Sequence, residues 1–200
     1  MALKKFVKIS GVTSLSDARY CSGMMVDVLG FNLNQKDTNH IEINILNQIK
    51  AWINGPMIAG EFSNASIEEI QEVMGMVDLD IIETNRIDLI EPLQNTGKRV
   101  YFKISVDSQI DIDELIKLNV KGLKADKIIL TASSNLFMTQ SVHELMNYQE
   151  NVKIVNGFHL ELGSINLWTG VELRATAEEV PGLKDYGKIM EVLEFLEIDD

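Results

Sequence analysis

Lys8-Ile9-Ser10-Gly11-Val12-Thr13, followed by Ser16-Asp17-Ala18, ends a short apolar strand and opens a helix. Side chains alternate along a strand, so Lys8 and Ser10 share one face and Val7 and Ile9 the other. Asp17 or Ser16 could cap the helix that follows. The same change of period, from two to 3.6, recurs down the chain. It predicts strands over 6–10, 26–32, 56–62, 79–84, 99–106, 127–132, 152–155 and 164–168. Between them it predicts helices over 16–25, 41–53, 67–76, 86–95, 112–118 and 142–148, with a last one over 185–196. Ile41, Ile45, Ile49 and Trp52 make the apolar row of the second helix, and Gly55-Pro56 breaks it. Ser66 and Glu69 are spaced as a capping box for the third. Ile189, Val192, Leu193 and Leu196 fall on one face of the last.

Strands joined through helices return to the same end of a sheet and pair in parallel. Eight such units predict an α/β fold of the (β/α)8 TIM-barrel type, one domain over residues 1–200. The chain is small for that architecture, and residues 156–163 are too few for a full crossover helix. The helix after strand 7 is therefore expected to be reduced. A doubly wound open sheet satisfies the same periodicity and stays open at this point.

Thirty acidic against 18 basic residues give a formal net charge of −12. That balance argues against nucleic-acid backbones, which need a basic surface. No apolar run has the length of a membrane span, and the first residues lead straight into a strand. The single cysteine, Cys21, allows no internal disulfide, which suits a reducing cytoplasm. His40, His143 and His159 lack metal-ligand spacing. No metal and no cofactor are expected, and oligomeric state is not legible.

Four segments in register resemble the phosphoribosylanthranilate isomerase family, a barrel of tryptophan biosynthesis. They are Val7–Thr13 with Asp17-Ala18, Asp27-Val28-Leu29-Gly30-Phe31, and Gly60-Glu61-Phe62-Ser63-Asn64-Ala65-Ser66. The fourth is Gly170-Val171-Glu172 with Pro181-Gly182-Leu183-Lys184-Asp185. The resemblance implies an aminoaldose-to-aminoketose isomerisation of N-(5-phosphoribosyl)anthranilate, and a phosphosugar or related anion as ligand. That reaction needs an acid to open the sugar ring and a base to take the C2 proton.

The family's cysteine base falls on Ser10 and its aspartate acid on Thr131. A serine hydroxyl is not ionised near neutrality without an activating partner. A threonine hydroxyl leaves no stabilised anion. The inherited activity is therefore expected to be impaired. The arginine that would meet the anthranilate carboxylate falls on Asn39, and the phosphate-binding glycines after strand 7 are reduced to Gly157. Around strand 8, Asn166, Trp168, Thr169 and Gly170 occupy positions the resemblance assigns to the phosphate.

Other groups are read from the residues alone. Lys8, if inward, must be paired, with Glu83 or Glu61 as its partner. Glu61 and Glu83 end strands 3 and 4, where barrel sites form, so they could make a new acid–base pair, with Glu83 as substitute base. Trp168 could fill the barrel or stack on a ring, and filling is preferred. Cys21 reads as packing. The alternative to an isomerase is a re-specialised or non-catalytic barrel binding another small anion or a protein partner.

Overall fold

A computed structural model of the chain describes residues 2–106, 124–131, 154–157, 162–175 and 186–198. Its strands are β1 (Phe6–Ser10), β2 (Val28–Asn32), β3 (Met57–Phe62), β4 (Ile81–Thr84), β5 (Arg99–Ser105), β6 (Lys127–Thr131), β7 (Ile154–Asn156) and β8 (Gly170–Arg174). All neighbours pair in parallel, and β8 pairs with β1 to close the barrel. Closure excludes the doubly wound open sheet. No described helix is long and apolar enough to cross a membrane.

The helices are α1 (Leu15–Gly23), α2 (Ile43–Lys50), α3 (Ile67–Met76), α4 (Ile90–Gln94) and α5 (Gly187–Leu196). The expected helices over 112–118 and 142–148 lie outside the described residues, as do Phe158, His143, His159 and Pro181–Asp185. α3 starts and stops as the sequence predicts, and its Ser66–Glu69 capping box is made on both sides. α1 is capped instead by Ser14, whose hydroxyl accepts from the Asp17 N–H at 3.2 Å. Asp17 is buried and accepts from the Tyr186 hydroxyl at 2.7 Å, tying α1 to the entry of α5. α2 is shorter than its apolar row. Leu46 and Ile49 are buried, while Ile45 and Trp52 face solvent. The expected helix over 86–95 is split into a 3₁₀ turn, Ile87–Leu89, and α4.

The largest correction concerns β8. Residues 164–168 read as a strand, but they belong to a 3₁₀ segment, Leu162–Leu167, and the strand begins at Gly170. Gly170 stands opposite Phe6 at the start of β1, so close that a Cβ would lie 2.5 Å from the Phe6 carbonyl oxygen. A glycine leading a short strand with charged Glu172 and Arg174 resembles a loop by composition. Tertiary pairing decides otherwise.

Two apolar clusters result. The larger lies between strands and helices and includes Val7, Ile9, Cys21, Trp168 and the inner face of α5. Cys21 is packed there, as its sequence context suggests. The smaller takes Val28, Ala59, Ile81, Tyr101, Ile129 and Val155, one from each of β2–β7, with Phe6 and Met57 against it. These alternate with outward residues and form the floor of the barrel interior.

The N-terminal rim below that floor repeats one device. Asp27, Asp80 and Asp126 each sit one residue before β2, β4 and β6. Their carboxylates accept from the main-chain N–H of Val7, Ile58 and Val100, each at 2.8 Å. Their own N–H groups donate back to the same three residues' carbonyls. Each acid thus satisfies a strand-end N–H that the ladder leaves over. Thr169 stands at the equivalent position of β8.

Candidate functional site

One side-chain layer above the apolar floor, the barrel interior becomes ionic. Moving two residues along each strand keeps the inward face. Val28 gives way to Gly30, Ala59 to Glu61, Ile81 to Glu83, Tyr101 to Lys103 and Ile129 to Thr131. On β1 and β8 the same step reaches Lys8 and Glu172, which stand opposite each other in register. Lys8 is wholly buried, and its Nζ donates to Glu61 at 2.7 Å, to Glu83 at 2.5 Å and to Glu172 at 2.5 Å. Lys103 bonds the other oxygen of Glu172 at 2.5 Å and lies 3.5 Å from Glu83. Glu61 also accepts from the Gly11 N–H at 3.1 Å. Gly30 is required beneath it, since a Cβ there would fall 2.1 Å from the Glu61 carboxylate.

The pairing of Lys8 with Glu61 and Glu83 is the one its sequence context called for. Glu172 and Lys103 were missed as members. A usable signal existed for Lys103: it is a lone lysine in an apolar strand, like Lys8, at the same alternation.

Three carboxylates against two ammoniums leave one negative charge in excess. Burial pushes the Glu83 carboxyl up to about 6 against the pull of Lys8 and Lys103, with Glu172 and Glu61 raising it further. Glu172 is held below its ordinary range: burial opposes this, but Lys8 and Lys103 flank it and overcome that effect. Lys8 and Lys103 are raised, since their carboxylates outweigh the burial that would lower them. Within this group Glu83 is the carboxyl whose proton affinity burial raises toward neutrality. Oxygens of Glu61, Glu83 and Glu172 converge within 4.8 Å, close enough for a metal ion. The Lys8 ammonium bonds all three, so it already supplies the cation at that point.

Ser10 and Thr131 end β1 and β6 at the C-terminal mouth, where barrel sites form. The Ser10 hydroxyl donates to the Leu173 carbonyl at 3.4 Å, and that of Thr131 to the Ile104 carbonyl at 3.2 Å. Among the described residues neither has a side-chain base against it. Gly157 follows β7 at the same mouth, its N–H donating to the Leu130 carbonyl at 2.7 Å. Asn39 lies exposed in the loop after β2, its N–H on the Asp37 carboxylate at 3.0 Å.

The remaining expected phosphate contacts sit at the other end. Asn166, Trp168, Thr169 and Gly170 precede or open β8, on the N-terminal rim. Trp168 is buried in the outer core, so it fills space. The Asn166 carbonyl accepts from Lys5, just before β1, at 3.3 Å. β8 starts at Gly170, later than the strand expected over 164–168. The residue that ends β8 at the mouth is Arg174, which sequence reasoning missed for the same reason.

No family model matches the chain. A curated protein of Leptospira interrogans (serovar copenhageni), named N-(5'-phosphoribosyl)anthranilate isomerase, is 26% identical over 204 residues, covering 95% of this chain and 93% of that protein. Among solved structures, the Thermotoga maritima phosphoribosylanthranilate isomerase superposes with a TM-score of 0.77 at 20% identity, over 96% of this chain and 98% of its own. The Thermus thermophilus protein gives 0.74 at 17%, with the same coverages. A third phosphoribosylanthranilate isomerase structure, with a TM-score of 0.77 at 20% identity and again those coverages, holds reduced 1-(o-carboxyphenylamino)-1-deoxyribulose 5-phosphate. By sequence over nearly its whole length, and by its barrel, the chain is similar to the phosphoribosylanthranilate isomerases.

Proposed function

We propose that this chain is a phosphoribosylanthranilate isomerase-like barrel that takes a phosphosugar or a related small anion at its C-terminal mouth. In it, the inherited aminoaldose-to-aminoketose isomerisation is reduced by orders of magnitude. One observation carries this reading. The base and acid positions are hydroxyls, Ser10 and Thr131, and each is spent on a main-chain carbonyl. Loss of a positioned acid or base lowers such a rate on the order of 10²–10⁴-fold. The ligand class rests on the family and on the neighbour that holds a ribulose 5-phosphate derivative.

A second reading has its own support. Glu83, at the end of β4 with its carboxyl pushed up to about 6, has the proton affinity of a general base near neutrality. In that reading the isomerisation persists and runs through Glu83.

The test is complementation of a strain lacking the isomerase, together with thermal shifts on adding ribose 5-phosphate. A ligand-induced shift without growth supports the first reading. Growth that survives Ser10→Ala and is lost in Glu83→Gln supports the second. Neither shift nor growth removes both.

A further inference from the structure

We infer that Arg174 anchors the ligand at the mouth, taking an oxyanion group, phosphate or carboxylate, in the bidentate manner of a guanidinium. This rests on the ligand class proposed above and names the group that would hold it.

Arg174 ends β8 beside Ser10, its partner in register, and its side chain is exposed. It lies across Gly11, its Nε 3.9 Å from where a side chain on that residue would begin, an ordinary contact distance. The floor beneath is closed by the Lys8 network, and a ligand has to sit at this height or above. Among the described residues, several other cations at this end are already held. Lys8 and Lys103 are neutralised by the three carboxylates. Lys36 is bound by Glu69 at 2.6 Å, and Arg86 by Asp88 at 2.5 Å. Arg174 differs: no described carboxylate comes within salt-bridge distance of it, in a chain with 30 acids to 18 bases. Asp37, in the loop after β2, is near enough to feel its charge without pairing.

A planar fork of N–H donors matches carboxylate and phosphate oxygens two at a time. The mouth beside strands 7 and 8 is also where barrels commonly hold phosphate. Asn39 cannot supply this charge from the β2 loop. Arg174 supplies it from the strand on the other side of β1.

The test compares the wild-type chain with Arg174→Gln by calorimetry and thermal shift. The probes are ribose 5-phosphate, anthranilate and inorganic phosphate, with ribose as the neutral control. Each protein is read against its own unliganded melt, and the exposed position leaves the fold intact. Expected is binding of at least one anion by the wild type, weakened about tenfold or more in Arg174→Gln, with ribose binding neither. Dependence on ribose 5-phosphate and phosphate assigns the phosphate group; dependence on anthranilate assigns the carboxylate. Equal affinity in both proteins overturns the role of Arg174 and leaves the proposed ligand class standing. No response to any anion in either protein overturns both.

Discussion

The two ends of this barrel use carboxylates in opposite ways. At the N-terminal rim Asp27, Asp80 and Asp126 each hold one main-chain N–H at 2.8 Å, singly and in the same geometry. Toward the C-terminal mouth Glu61, Glu83 and Glu172 crowd around one ammonium and share a second. The lower acids finish the β-ladder. The upper ones fill a space that would otherwise be a cavity, and they fill it with charge. A barrel interior needs stacked layers of side chains, and here the second layer is ionic where the first is Val, Ala, Ile and Tyr. That difference ties the upper layer to pH and to whatever binds above it.

Breaking the upper cluster is the harshest perturbation. Lys8→Met should destabilise by about 3–5 kcal/mol, because it leaves three carboxylates facing each other around an apolar side chain. Urea unfolding at pH 7 reads this, and a loss below about 1 kcal/mol would show that the cluster is not closed as described. A single acid at the lower rim should matter less. Asp80→Ala should cost about 1–3 kcal/mol, the penalty of one orphaned buried N–H, read by the same urea unfolding.

The pH dependence belongs to Glu83. Its folded pKa, about 6, lies above its ordinary value of 4.5. The folded state therefore binds the proton more tightly than the unfolded state does, and stability falls as pH rises from about 4.5 to 6. The loss from this group is about 2 kcal/mol, complete above that window. Glu172 works in the opposite sense. Its lowered pKa adds stability above the ordinary carboxylate range, and that contribution fades as pH falls through its folded value. Glu83→Gln removes the titrating group, so the decline between pH 4.5 and 6 should flatten in chemical unfolding at fixed pH. An unchanged slope would place the proton elsewhere. The smallest effect is expected at the mouth hydroxyls: Ser10→Ala should change stability by no more than about 0.5 kcal/mol, since only a 3.4 Å bond to a carbonyl is lost.

What the sequence disclosed follows the range of the interactions involved. The α3 capping box is local, four residues long, and was legible to the residue. The buried face of α5 came from its period alone. Lys8 could be expected to seek Glu61 or Glu83, because a charge on an apolar strand has to be answered. Glu172 could not be found the same way. Its strand, Gly170–Arg174, is identified only by pairing with β1 and β7, across more than 160 residues on one side. With β8 displaced, Thr169 and Gly170 were assigned to the wrong end of the barrel and Arg174 was passed over. The capping of α1 by Ser14 instead of Ser16 or Asp17 is a smaller miss of the same origin. Asp17 was already committed, through Tyr186, to a contact 169 residues away.

The most direct test is the rate at which the wild-type chain converts N-(5-phosphoribosyl)anthranilate, measured beside Ser10→Ala and Thr131→Val. Turnover is expected to be weak and the same in all three, because neither hydroxyl carries a proton in the reaction. Fast turnover that collapses in Ser10→Ala or Thr131→Val would contradict this and restore those two residues as the working base and acid.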